Sequence, residues 1–125
     1  MHGFTPEMIS DAKMSRIAAF VTRGQIDMSK YIDHSSRTVS AGDATVGRGM
    51  FQTVCAACLG VDARRLDWGE GDESAFVGTK PVAAPNGLMI KILNAHPGVE
   101  MVHLRAFGAD AAADVLAYPV TLPVD

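Results

Sequence analysis

Apolar positions along this chain gather into short helical stripes, separated by polar or turn-rich stretches. In "TPEMISDAKMSRIAAFVTRG", Met14, Ile17, Ala18 and Val21 recur at the spacing of one helix face. Thr5 suits a cap, Pro6 the first turn and Glu7 the positive end of the dipole, and Gly24 supplies a stop. "QIDMSKYIDHSSRTVSAG" is polar with anchors at Ile26, Met28, Tyr31 and Ile32, and reads as a wrapped connection with at most one short helix. A second helix is expected from near Asp43, with Val46, Met50 and Val54 four apart, Phe51 on the same side, and Gly60 as the break.

Beyond Gly60, "VDARRLDWGEGDESAFVGTKPVAAPNG" is long and rich in turn residues, and loops of that length inside a compact domain usually cover something or carry function. "LMIKILNA" reads as a short apolar helix and "HPGVEMVHLRAFG" as another loop. "ADAAADVLAYPVTLP" closes with a helix from about Ala109, halted at Pro119 because the residue before proline leaves the helical region. No strand alternation and no internal repeat stands out. The pattern predicts an all-α chain: a helix and connecting segment over 1–42, then a domain of short helices over 43–125.

Composition narrows this picture modestly. A chain of 125 residues suits one domain, and 48% apolar with 20% charged residues marks it as globular. Aromatics are only 6%, which fits either alanine-rich helix packing or a core partly filled by a large apolar cofactor. A net charge of -3 without a basic patch gives no reason to expect nucleic-acid binding. No run approaches the ~20 apolar residues of a membrane span. "MHGFTPEMIS" lacks a basic start and an apolar block, so the chain is expected to be cytoplasmic or to have lost an export signal or anchor.

The candidate chemistry sits in "GRGMFQTVCAACLGVD". It holds the chain's two cysteines, Cys55 and Cys58, as C-x-x-C followed by Leu59; a histidine at that place would complete a covalent haem-attachment motif. Other chemistries remain open. A thioredoxin-type thiol pair lacks its βαβ context here. A zinc site with His96 or His103 lacks a second C-x-x-C or H-x-x-x-H. Inert thiols or a disulfide are a further reading. Met101 is core filler or a metal ligand, Trp68 anchors a loop or covers a cofactor edge, and Glu70, Asp72 and Glu73 form a solvated turn.

In order and spacing, these segments resemble class I c-type cytochromes. Gly47, Phe51, Cys55 and Cys58 reproduce the register G-x-x-x-[FY]-x-x-x-C-x-x-C. "DVLAYPVTLP" resembles the family's closing helix, with Leu116 and Tyr118 packing on Gly47 and Phe51. "KILNAHPGVEM" resembles the segment that carries the distal methionine, here Met101. The likeness runs from about Met14 to Pro123. It implies a cytochrome c-like bundle of short helices around a haem cleft, with an extra N-terminal helix. It also implies haem c held by Cys55 and Cys58, with Met101 as an axial iron ligand. The function it implies is electron carriage between redox partner proteins, not catalysis, in the periplasm or another extracytoplasmic space.

The chain also departs from the family pattern. Leu59 takes the place of the proximal histidine, and leucine has no lone pair for iron. Among the other histidines, His96 and His103 lie near Met101 on the distal side and are weak substitutes, as are His34 and His2. Ala63, Arg65 and Ala95 occupy positions where the family carries glycine; wherever such a residue needs positive φ, the cost is about 1 kcal/mol or more. The implied function is therefore a haem-binding electron-transfer domain with a defective proximal position. The competing expectation is a haem-free structural or interaction module that keeps the same architecture.

Overall fold

A computed structural model describes residue 5 and residues 7–124, and the chain is mostly helical. In order come α1 (Asp11–Arg23), a 3₁₀ turn (Met28–Lys30), β1 (Ile32–Asp33), β2 (Thr38–Val39), α2 (Ala44–Met50), a π-helical turn (Phe51–Cys55) and α3 (Ala56–Leu59). After the turn-rich loop follow α4 (Thr79–Ala83), α5 (Pro85–Asn94), a 3₁₀ turn (Arg105–Phe107), α6 (Gly108–Ala117) and a last 3₁₀ turn (Pro119–Thr121). The all-α expectation holds, with an N-terminal helix ahead of the rest.

Several boundaries move from their expected places for local reasons. α1 starts at Asp11, because the Ser10 hydroxyl accepts from the Lys13 N–H while the Thr5 carbonyl is taken by Met8 and Ile9 in a separate turn. Pro6, proposed as a first-turn residue, lies outside the described residues. Gly24 ends the helix as expected, its N–H donating to the Phe20 carbonyl. The connection is not free of strands. β1 and β2 pair antiparallel with Ile32 opposite Val39. Strands of two residues are too short to show alternation in sequence. Their turn is drawn tight by the Asp33 carboxylate, which accepts from the Ser35 and Ser36 N–H groups and the Ser35 hydroxyl; these bonds hold its pKa down at about 2.

α2 begins where expected. The Asp43 carboxylate accepts from the Thr45 and Val46 N–H groups, and the Asp43 N–H donates to Asp114 Oδ1 at 2.7 Å, tying the start of α2 to α6. The expected Val46–Met50–Val54 stripe is not the buried face. Gly47 and Phe51 are buried instead, and Val46 is exposed. An i→i+5 bond from the Ala56 N–H to the Phe51 carbonyl makes the wider turn, so residues on either side no longer keep one α-helical register.

The element that organises the core is the crossing of α2 and α6. A Cβ at Gly47 would overlap the Asp114 carbonyl oxygen, so only glycine lets the two backbones meet this closely. Beside the crossing, Phe51 and Tyr118 stack edge-on with ring centroids 5.2 Å apart. α6 ends at Ala117, close to the expected place but not for the expected reason: Tyr118, just before Pro119, keeps helical angles (φ -68°, ψ -48°), and the chain tightens directly into the following 3₁₀ turn. Two apolar clusters flank the crossing. One joins Ile32 to Met89, Ile92, Leu93, Leu104, Val115 and Leu116; the other joins Phe51, Ala56, Ala63, Val77 and Tyr118. The connection before α2 thus shares the core, and the Tyr31 hydroxyl donates to Asp110 of α6 at 2.7 Å. Among the described residues, no helix is long and apolar enough to cross a membrane.

Two of the three suspected glycine-like positions are real. Ala63 has φ 60° and Ala95 has φ 65°; Arg65 is not among the residues at positive φ. Ala95 combines that φ with ψ -173°, a region almost confined to glycine and costing about 1–3 kcal/mol for other residues.

Replacing Gly47 with Ala should destabilise the fold by about 3 kcal/mol, since backbone blocks the added methyl; urea denaturation measures this. Ala95→Gly should stabilise by about 1 kcal/mol. Ala63→Gly should be nearly neutral, because relief of its backbone is offset by losing a buried methyl worth about 0.8 kcal/mol.

Candidate functional site

The thiols sit at the end of the π turn and α3. Cys55 is half-buried and touches both apolar clusters, so it lies at their seam. Cys58, three residues on, is exposed. Burial, followed by the charge of the neighbouring Cys58, pushes the Cys55 thiol above the ordinary cysteine range.

Local geometry fixes this helix end firmly. Gly60 takes φ 82° and terminates α3, its N–H donating to the Ala56 carbonyl. The Arg65 N–H donates to the Leu59 carbonyl at 2.9 Å, and its guanidinium donates to the Ala57 carbonyl at 2.7 Å. Arg65 is therefore a clamp on the last turn of the thiol helix. No sequence signal pointed to this, since its partners are main-chain oxygens. Arg64 lies over the Phe76 ring at 5.3 Å. The main-chain N–H of Trp68 donates to the Ala75 carbonyl, and its exposed ring has Lys80 Nζ 5.8 Å from the ring centre. The Asp67 carboxylate closes the same loop, accepting from the Gly69 and Ala75 N–H groups.

Leu59 is half-buried and packs on the cluster of Phe51, Ala56, Ala63, Val77 and Tyr118. Its side chain extends an apolar surface and donates nothing.

The segment from Ala95 to Leu104 runs as a loop off α5. Leu104 is buried, and its N–H donates to the Ile92 carbonyl at 2.8 Å, pinning the far end of the loop to α5. Met101 is half-buried, with its N–H on the Val99 carbonyl. His96 is exposed, its Nδ1 2.9 Å from the Pro97 carbonyl, so that nitrogen carries the proton and donates locally. His103 is exposed. His34 lies across the fold, with its Nδ1 3.0 Å from the Asn86 amide nitrogen, and His2 lies outside the described residues.

The chemistry available is thus a helix-end thiol pair one turn apart, an apolar wall including Leu59, and a thioether at Met101 on a separate loop. The described residues contain no group of three or more His, Cys, Asp or Glu able to hold a metal ion, so the zinc reading lacks a donor set. Two surface concavities of about 190 and 180 Å³ lie elsewhere. The first is lined by Val39 to Gly42 with Ala117 and Val120, the second by residues around His34, Arg37 and Asn86.

Alkylation with iodoacetamide near pH 8 should modify Cys58 at least about tenfold faster than Cys55, whose thiol is both shielded and raised in pKa. Labelling of Cys55 should accelerate as pH climbs beyond the usual thiol range; peptide mass mapping over time reads both rates. No family model matches this chain, and neither does any curated protein or solved structure.

Proposed function

We propose that this chain is a haem c-binding electron-transfer domain of the cytochrome c type with an altered proximal side. The observation that carries the reading is the close crossing at Gly47, which sets two thiols one turn apart at the end of the crossed helix. Ala63 and Ala95 add support, because both hold glycine-like backbone where the resembled family carries glycine.

The residues fit one half of the group's requirements. Cys55 and Cys58 suit thioether links to two vinyl groups, with Cys55 at the seam of the apolar clusters and Cys58 open to the reacting partner. Met101, half-buried on its loop, would offer a soft sulfur donor. The proximal side does not fit, since Leu59 supplies an apolar contact where a nitrogen is needed. Bound there, a haem would supply one-electron chemistry, tuned by axial ligation and exposure. The chain's own part would be to hold that group by its thiols and to set Leu59, backed by the cluster of Phe51 and Tyr118, as an apolar contact in place of a proximal donor. On this reading the domain works in an extracytoplasmic space with redox partner proteins.

One observation favours a second reading, a haem-free interaction module. Leu59 packs into a continuous apolar cluster, so the wall stands without a cofactor.

Expression alongside the haem-attachment machinery, followed by intact mass and absorbance, separates the two. The proposal expects a haem-sized mass increment on Cys55 and Cys58 and a Soret band unlike that of a His/Met-ligated haem. An unmodified mass with both thiols free, in a folded chain, overturns it. Leu59→His should raise the loaded fraction and shift the spectrum toward six-coordinate haem.

A further inference from the structure

The part of the chain that the thiol site does not use is α1. None of its residues is buried, and Met14, Ile17, Phe20 and Val21 are each between 43% and 57% exposed. These side chains are not scattered. At 3.6 residues per turn, Met14, Ile17, Ala18 and Val21 form one ridge along the helix. Lys13, Arg16, Phe20 and Arg23 form the adjacent ridge, which is cationic with one aromatic residue among the charges. Asp11, Ser15 and Thr22 lie along the other flank of the apolar ridge, next to Ala18.

Charge is sorted in the same direction. Within α1, three cations against one carboxylate leave +2, whereas the whole chain carries -3, so the remainder carries -5. A 13-residue helix is about 20 Å long, too short to span a bilayer but long enough to lie in its surface. An apolar ridge bordered by lysine and arginine is the arrangement of helices that bury one face at the boundary between headgroups and acyl chains. A second copy seated on the same patch would set cations against cations, because a two-fold contact repeats the patch on both sides.

We propose that α1 is a reversible membrane-surface anchor that takes an anionic lipid bilayer. Met14, Ile17, Phe20 and Val21 enter the interface, and Lys13, Arg16 and Arg23 meet the headgroups. This rests on α1 alone and stands whether or not haem is bound.

Co-sedimentation of the full chain tests it, using phosphatidylcholine vesicles containing about a third phosphatidylserine against pure phosphatidylcholine vesicles. The chain should pellet with the anionic vesicles only, and should be released at about 0.5 M salt, where the Debye length has shrunk to a few ångströms. Reversing Lys13, Arg16 and Arg23 to Glu should lower partitioning at least about tenfold, as should Ile17→Asp with Val21→Asp. All five positions are exposed, so circular dichroism should show an intact fold. No pelleting with anionic vesicles overturns the proposal, as does equal pelleting by the variants. So does a stable dimer that Ile17→Asp dissolves, which would mean a second copy covers the face.

Discussion

The approach of α6 to α2 at Gly47 is the constraint on which the rest of the structure rests. Backbone meets backbone there, with no side chain between, so the two helices are fixed in position as well as in angle. The Asp43–Asp114 hydrogen bond locks one end of the contact and the Phe51–Tyr118 ring pair locks the other. Both apolar clusters form against this cross, and Cys55 sits where they meet. The position of the thiols is thus inherited from a glycine eight residues upstream.

A second theme is the use of residues that resist their assigned backbone. Ala95 and Ala63 both hold a left-handed φ, yet their situations differ. Ala63 recovers part of its cost because its methyl is buried in the cluster around Phe51. Ala95 is half-buried at the end of α5 and has less to recover. The loop that carries His96 and Met101 therefore starts from a strained residue, while the Leu104–Ile92 bond and the Arg105 guanidinium on Asn94 tie its other end to α5.

Much of this was legible in the residues. Helix ends followed from residues with local duties, namely Asp43 as a cap and Gly24 and Gly60 as stops. The pairing of the Gly47 helix with the closing helix was what the resemblance implied; the Phe51–Tyr118 contact agrees with it, while Gly47 itself meets the backbone of Asp114 and Val115. The turn at Asp33 was not legible, because a hairpin of two-residue strands is fixed by a carboxylate meeting N–H groups rather than by any apolar alternation. The shift in buried face along α2 was also hidden, since a π turn leaves no compositional mark. Arg65 is exposed, yet its guanidinium closes the thiol helix through a main-chain oxygen, and such bonds cannot be read from residue type.

The cross at Gly47 clasps residues 71 apart, and the turn-rich stretch between α3 and α4 is the slack in that large ring. Ring closure depends only weakly on contour length, about 0.6 kcal/mol for each doubling. Added sequence is therefore cheapest near Glu70 to Asp72, at the tip of the loop that Asp67 ties shut at its base. The same fold could acquire a new peptide or a whole inserted module there without disturbing the seam where Cys55 lies.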